Sequence, residues 1–319
     1  MIEMKNKGRY RIRNWKEYNK SLIQRGSITV WLSEDAIEKW LADKEEGKKG
    51  HPTIYSNDAI LTALMIRSVF HLPLRGLQGF LTSIVLLIGI VLPIPSYTQI
   101  CRRAKSLGQE LSKLSERNVT DLVIDSTGLK VYGEGEWKVR QHGYSKRRTW
   151  RKLHLAVCPD SNEIIFEILT ENSVADCEVY PEFLKAAPET IERTYGDGAY
   201  DTEGCYEASD QHGSALIVPP QRNAIFRQNV PPHMQARNDA YLEILGLGGD
   251  EDARKLWKKL KGYHRRSLSE TAMFRFKQLF GSSLTSRGID NQKAETKAKC
   301  EALNVMARLG MPEGEWLVA

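Results

Sequence analysis

The feature that most constrains the fold of this chain is the order of its β-patterned segments. Three come in succession: Asp121–Val131, rich in β-formers; Trp150–Cys158, with Leu153, Leu155 and Val157 on one face; and Glu163–Leu169, after the turn Pro159-Asp-Ser-Asn162. A helix over Asp176–Ala187, a short strand reaching Asp197, a helix over Thr202–His212 and a strand over Ala215–Val218 follow. Adjacent strands can close as hairpins, whereas strands joined across a helix pair in parallel. The order therefore predicts a mixed α/β sheet, a meander followed by crossovers. In such a sheet the first and fourth strands can lie side by side, which would bring Asp125 next to Asp197.

Ahead of the sheet the pattern is helical. Ala59, Ile60, Ala63, Leu64, Ile66 and Phe70 recur at helical spacing after Ser56. Pro73 opens a second helix over Leu74–Ile88, Pro93 and Pro95 break the chain, and Ser96 caps a third helix running to Leu107. A helix, a break and a helix bearing Arg102, Arg103 and Lys105 resemble a helix-turn-helix over 74–107, although three packed helices with a basic edge give the same pattern. The apolar run Ile84–Leu92 is too short to span a bilayer and reads as buried helix. The expected division is a basic N-terminal arm (1–50), an all-α DNA-binding domain (51–115), a mixed-sheet catalytic domain (116–284) and a C-terminal helical tail (285–319). Trp15, Trp31 and Trp40 are candidate anchors for the arm, which holds one short helix from Ser33. Within the catalytic domain, the Pro/Gly/Asn-rich stretch 219–255 reads as an irregular insertion.

Net charge is only +6, but it is unevenly spread. Residues 4–25 hold eight basic residues against Glu17 alone, and 137–154 and 254–266 hold seven each with no acid. Separate basic stretches on an otherwise acidic chain suit a polyanion gripped at defined surfaces, though each stretch alone also suits a solvated face. The five scattered cysteines form no CxxC pair, which argues against a disulfide framework or a zinc site and fits a reducing cytoplasm. No apolar segment follows the basic N-terminus, so no signal peptide is expected, and no membrane partner is expected.

Three acids stand out within this frame. Asp125 ends an apolar strand, Asp197 lies in Tyr195-Gly-Asp-Gly-Ala-Tyr200, and Glu270 follows the basic cluster Tyr263-His-Arg-Arg266. Carboxylates are natural ligands for Mg²⁺, and a pair of such ions can clamp both the attacking and leaving oxygens of a phosphodiester. If the helix carrying Glu270 began before Tyr263, then Tyr263, Arg266, Glu270 and Lys277 would share a sector about 60° wide, opposite an apolar face. Ser267-Leu-Ser-Glu270 is equally a capping box, and a helix starting at Ser267 would leave Glu270 as a cap. Asp121 should sit a strand length from the other acids, Asp201 reads as the cap of the next helix, and His154 as a hydrogen-bonded sheet residue. Trp137, Tyr144 and Trp150 alternate with Arg140, Lys146, Arg147, Arg148, Arg151 and Lys152, as residues lining a nucleic-acid groove would; a basic loop with core tryptophans reads the same way.

The spacing Tyr263-x₂-Arg266-x₃-Glu270-x₆-Lys277 matches the Y-(2)-R-(3)-E-(6)-K signature of bacterial insertion-sequence transposases of the DDE class. The N-terminal Asn14-Trp15-x₂-Tyr18-Asn19, then Ile124-Asp-Ser-Thr-Gly-Leu-Lys130, Arg148-Thr-Trp-Arg-Lys-Leu-His154, Gly196-Asp-Gly-Ala-Tyr-Asp201, Arg287-x₃-Asn291-Gln292 and Leu309-Gly-Met-Pro312 extend the likeness along the chain. Together they resemble the insertion-sequence-five family, in the group of insertion sequence 903; the apolar stretch Ile84–Leu92 departs from it. The resemblance implies an RNase H-like catalytic fold and Mg²⁺-dependent cleavage and joining of double-stranded DNA, with Mn²⁺ able to substitute. It matches Asp125, Asp197 and Glu270 to the catalytic, metal-holding triad. Arg266, Lys277, Tyr263, Arg147, Arg148, Arg151, Lys152, Arg102 and Arg103 are the expected DNA contacts, and a homodimer or larger assembly on DNA is expected. The rival readings are a nuclease of the same fold that does not join DNA, and a domesticated DNA-binding protein that does not cut.

Overall fold

The computed structural model of the chain describes residues 9–42, 54–108, 114, 118–131 and 150–317. Strand β1 (Arg9–Ile12) and helices α1 (Trp15–Gln24), α2 (Ile28–Trp31) and α3 (Glu34–Glu38) precede three longer helices, α4 (Asn57–Val69), α5 (Leu74–Ile88) and α6 (Tyr97–Leu107). Next come β2 (Asp121–Val131), β3 (Trp150–Val157), β4 (Ile164–Glu171), α7 (Asp176–Ala186), β5 (Arg193–Tyr195), α8 (Glu203–His212) and β6 (Ala215–Ile217). Helices α9 (Gln235–Gly246), α10 (Glu251–Leu260) and α11 (Ser267–Phe280) lead to β7 (Ser283–Leu284), α12 (Ile289–Leu309) and β8 (Gly314–Leu317).

The central sheet has the order β4-β3-β2-β5-β6, with β7 added to the far end of β2. The β2–β3 and β3–β4 pairs are antiparallel, while β2–β5 and β5–β6 are parallel. This is the mixed α/β sheet that the element order predicts. Two-residue alternation sends Leu129, Leu153, Leu155 and Val157 into a core shared with α4, α5, α6, α11 and α12. Leu122, Ile124, Ala156 and Phe166 face α7 and α8 on the other side. Serine caps start α4 and α6, where the Ser56 and Ser96 hydroxyls accept backbone N–H groups of Ala59 and Gln99.

The segment 285–319 contains the buried backbone of the helical layer. Its α12 lies among α4, α6 and β4, and Ala294, Ala298 and Ala302 on it are essentially inaccessible. Asn304 on α12 accepts from Ile164 N at 2.7 Å and donates to Ile164 O at 2.8 Å, pairing with the edge of β4 as another strand would. At the N-terminal end, β1 pairs with β8, and Trp31 and Trp40 are buried while Trp15 is exposed.

Three expectations need correction. The N-terminal arm, expected to hold one short helix, holds α1, α2 and α3. The stretch 219–255, read as irregular, contains α9 and the first half of α10. Apolar side chains are scattered around α9, so no 3.6-residue period shows; what holds it are polar groups. Arg237 donates to Ile225 O, Asn238 bonds both N and O of Arg227, and Glu243 accepts from Trp257 and Lys261 of the following segment. The run Ile84–Leu92, read as buried, buries Val85 but leaves Leu86 and Leu87 79% and 83% exposed, because only one stripe of α5 meets α4 and α6. Among the described residues no single helix is long and apolar enough to cross a membrane; α4 and α5 approach that only as a pair bent by 106°.

Candidate active site

The parallel register of β2 and β5 is Asp121↔Arg193, Leu122↔Thr194, Val123↔Tyr195. Two residues further along each chain stand Asp125 and Asp197, at the carboxyl end of the parallel pair, where open α/β sheets present their crevices. Asp197 begins a tight turn over Gly198–Tyr200, and its Oδ1 accepts from Ala199 N at 2.9 Å. Gly196 is dictated by the Tyr200 ring, since a Cβ there would come within 2.7 Å of it; at Gly198 a Cβ would meet open space.

The third acid arrives from α11. Residues Tyr263–Arg266 form a separate 3₁₀ turn and the α-helix begins at Ser267, so Tyr263 is not on the helical face with Glu270. Its hydroxyl instead donates to Gly196 O at 3.0 Å, bracing the loop of Asp197. Burial, with the neighbouring acids adding to it, pushes the Tyr263 hydroxyl up to about 12, so it stays a neutral donor. The Ser267–Glu270 capping box does not form, because no side chain caps this helix. Glu270 is free to turn the other way, and Arg266 Nη1 donates to its Oε1 at 2.7 Å.

Arg266 joins all three acids. Its Nη2 donates to Asp125 Oδ2 at 3.1 Å and lies 3.9 Å from Asp197 Oδ2. Burial opposes the charge on Arg266, but Asp125, Asp197 and Glu270 outweigh it and hold its pKa above the usual guanidinium value. Asp125 is further fixed by Ser126 N–H at 2.8 Å, and the Ser269 hydroxyl lies 3.3 Å from its Oδ2. Burial still wins at Asp125, whose carboxyl sits above its ordinary pKa with Asp197 adding to the push. Ser269 was not singled out from sequence; its place one helical turn past Arg266 on the buried side of α11 was the available signal.

Three carboxylates around one guanidinium leave an excess of two negative charges. Hard carboxylate oxygens suit Mg²⁺ or Mn²⁺, and two aspartate oxygens already share one nitrogen as neighbour. Among the described residues, no three such side chains converge tightly enough to hold one ion, because Arg266 stands between Glu270 and the aspartates. The donor set fits the metal; its present occupant is an arginine.

Residues 120–305, more than half of the chain, match the family model described as a transposase DDE domain. This chain belongs to the DDE transposase family. Residues 23–134 match a second model of the same description. The protein is thus a DNA transposase, an enzyme of the polynucleotidyl transferase and endonuclease type, in a family that generally uses divalent metals. Among solved structures it is similar to a piggyBac transposase in a synaptic complex with hairpin DNA, at 9% identity and a TM-score of 0.35, over 92% of this chain and 77% of that one. So distant a likeness lends no residue role to this transposase.

Several side chains singled out from sequence are tied up within the protein. Arg151 donates to Gln292 at 3.1 Å, and Lys152 to Val174 O and Asp176 at 2.9 and 3.0 Å. Arg103 donates to Tyr55 O and Asn57, linking α6 to the start of α4. Arg102 is exposed on α6 and Lys277 half-buried on α11, and neither makes an ion pair among the described residues. Arg147 and Arg148, with Trp137, Arg140, Tyr144 and Lys146, lie outside the described residues. Trp150 is partly exposed, with Lys130 over its ring. Asp201 does not cap α8: it accepts from Tyr206 and Gln221 N and lies beside Arg237, holding the inserted segment to the sheet. His154 is buried, bonded through Nε2 to Thr170 at 2.9 Å, and burial lowers its pKa to about 4, so it is a neutral sheet residue.

Proposed function

We propose that this transposase serves a bacterial insertion sequence of the insertion-sequence-five type, in the group of insertion sequence 903. It would cut DNA at the element's terminal inverted repeats and join the freed 3′-hydroxyl to target DNA. The observation that carries this reading is the gathering of Asp125, Asp197 and Glu270 from β2, the loop after β5 and α11 around a single cationic group. A pair of Mg²⁺ ions, or Mn²⁺, held by these carboxylates would lower the pKa of the attacking water and offset charge on the phosphate.

The chain's own residues do the rest. Asp125 and Asp197 form the rigid part of the site, fixed by Ser126 N–H and Ala199 N–H. Glu270, 60% exposed, is the acid free to adjust. Arg266, in the turn before α11, and Lys277, on α11, flank it and would hold and orient phosphates of the reacting strand. Tyr263 keeps the Asp197 loop in place through Gly196. We assign end-DNA recognition to the helical segment 51–115, with Arg102 on the exposed face of α6 and Arg147 and Arg148 as further phosphate contacts. Two or more copies would act on the paired ends.

The test is a plasmid carrying the element's ends, with cleavage and transfer into a second plasmid read separately. Asp125→Ala, Asp197→Ala and Glu270→Ala should each remove cleavage and keep binding to end DNA. Cleavage surviving any one change takes that residue out of the site. Hydrolysis without joining by the wild-type protein leaves a nuclease, and binding without cutting in Mg²⁺ or Mn²⁺ leaves a DNA-binding protein.

A further inference from the structure

Arg266 sits where a metal would have to sit. One of its nitrogens is 2.7 Å from Glu270 Oε1; the other is 3.1 Å from Asp125 Oδ2 and 3.9 Å from Asp197 Oδ2. A Mg²⁺ ion binds carboxylate oxygen at about 2.1 Å. An ion bridging these oxygens would compete with the guanidinium for the space between them and be repelled by its charge. The backbone that presents Arg266 is anchored on both sides: Arg265 is ion-paired to Asp121 and Asp160, and the Ser269 hydroxyl lies 2.8 Å from Arg266 O. The side chain is less secure. Its buried Nε has no hydrogen-bond partner, and its shortest contact is to the largely exposed Glu270, an ion pair weakened by solvent screening. A phosphodiester offers the same guanidinium two oxygens in fork geometry.

We infer that Arg266 is a place-holding cation: it and the divalent metal are alternative occupants of the Asp125–Asp197–Glu270 carboxylates, and DNA phosphate draws it away. This rests on the reading of those acids as metal ligands. In the absence of DNA the guanidinium offsets part of the charge of three crowded carboxylates and competes with the ion. When DNA arrives, Arg266 moves to phosphate and the oxygens become available. DNA and metal thereby raise each other's affinity through one side chain, and by linkage the factor is the same in both directions.

The test measures Mn²⁺ binding by electron paramagnetic resonance, using full-length protein and a DNA-only blank. Wild type, Arg266→Gln and Asp125→Asn are compared with and without a short DNA duplex. Without DNA, Arg266→Gln should bind Mn²⁺ about fivefold or more tightly than wild type. With the duplex, wild type should gain a similar factor and Arg266→Gln little. A merely structural Arg266 would lower stability without raising metal affinity. Arg266→Lys, which keeps the charge but lacks the fork, should shift affinity in the same direction by less, and serves if Arg266→Gln melts too low to titrate. Metal affinity unchanged or weaker in the Arg266 variants, with binding still lost in Asp125→Asn, overturns the inference and leaves the acids as ligands. Asp125→Asn binding as well as wild type overturns the metal reading itself.

Discussion

Two acids four residues apart on β2 face two consecutive arginines, and they are held in opposite ways. Asp121 is 1% exposed; Arg193 donates to both its oxygens at 2.7 and 3.0 Å, and Arg265 adds a further contact while also pairing with Asp160. There two acids meet two arginines and the charges balance. Asp125 is 15% exposed and shares Arg266 with Asp197 and Glu270, so three acids meet one arginine. The first cluster is complete and rigid. The second is short of positive charge and held by a partner that can exchange. The same residue pair, Asp with Arg, thus makes a structural clamp at the start of β2 and a candidate cation site four residues along it. The difference lies in stoichiometry and exposure.

The sharpest way to break this contrast is to delete each acid in turn. Asp121→Ala takes the buried partner from Arg193 and leaves Arg265 with Asp160, and should lower stability by about 2–4 kcal/mol, measured by urea unfolding. Asp125→Ala, which relieves like-charge crowding, should stay within about 1 kcal/mol of wild type while removing DNA cleavage. A large stability loss at Asp125, or a tolerated Asp121→Ala, would put the two acids in one class. A smaller effect comes from the Asp197 loop. Gly196→Ala drives a Cβ to 2.7 Å from the buried Tyr200 ring and should cost about 1–3 kcal/mol together with much of the cleavage. Gly198→Ala meets nothing within 4 Å and should be close to neutral in stability. Equal effects at the two glycines would mean that the loop is not shaped by Tyr200.

The closed and open clusters also mark how far sequence carries. Strands β2 and β3 and helices α4 to α8 can be read from alternation, prolines and serine caps, because those signals are local. The direction of β5 follows from its helical crossover, and element order allows it the place beside β2 that it takes. What could not be read was the choice of partner. Arg151, Lys152 and Arg103 look like phosphate contacts in a basic string, yet Gln292, Asp176 and Asn57 claim them from distant parts of the chain. Arg265 and Arg266 are adjacent and indistinguishable by composition, and only the tight turn before α11 sends one to Asp121 and the other to Asp125. That turn also removed Tyr263 from the shared helical sector. Helix α9 escaped because polar clamps hold it, and such clamps leave no apolar period.

The smallest effect separates the two acids by their proton equilibria. Burial raises the Asp125 carboxyl above its ordinary value of 3.8; Asp197 adds to the rise, while Ser126 N–H, Arg266 and Ser269 oppose it. A carboxyl that binds its proton more tightly folded than unfolded contributes stability fully present below the ordinary value. That contribution is lost as pH climbs through the raised one. Asp125→Asn removes this dependence. In metal-free buffer the variant should therefore gain on wild type in melting temperature between about pH 3 and about pH 7. If it loses ground instead, the Asp125 charge is already well compensated, as at Asp121, and the site has no appetite for a further cation. Adding Mg²⁺ at the upper pH then closes the comparison: the ion should raise the melting temperature of wild type and leave Asp125→Asn nearly unchanged, because only the ionised carboxyl rewards a second cation.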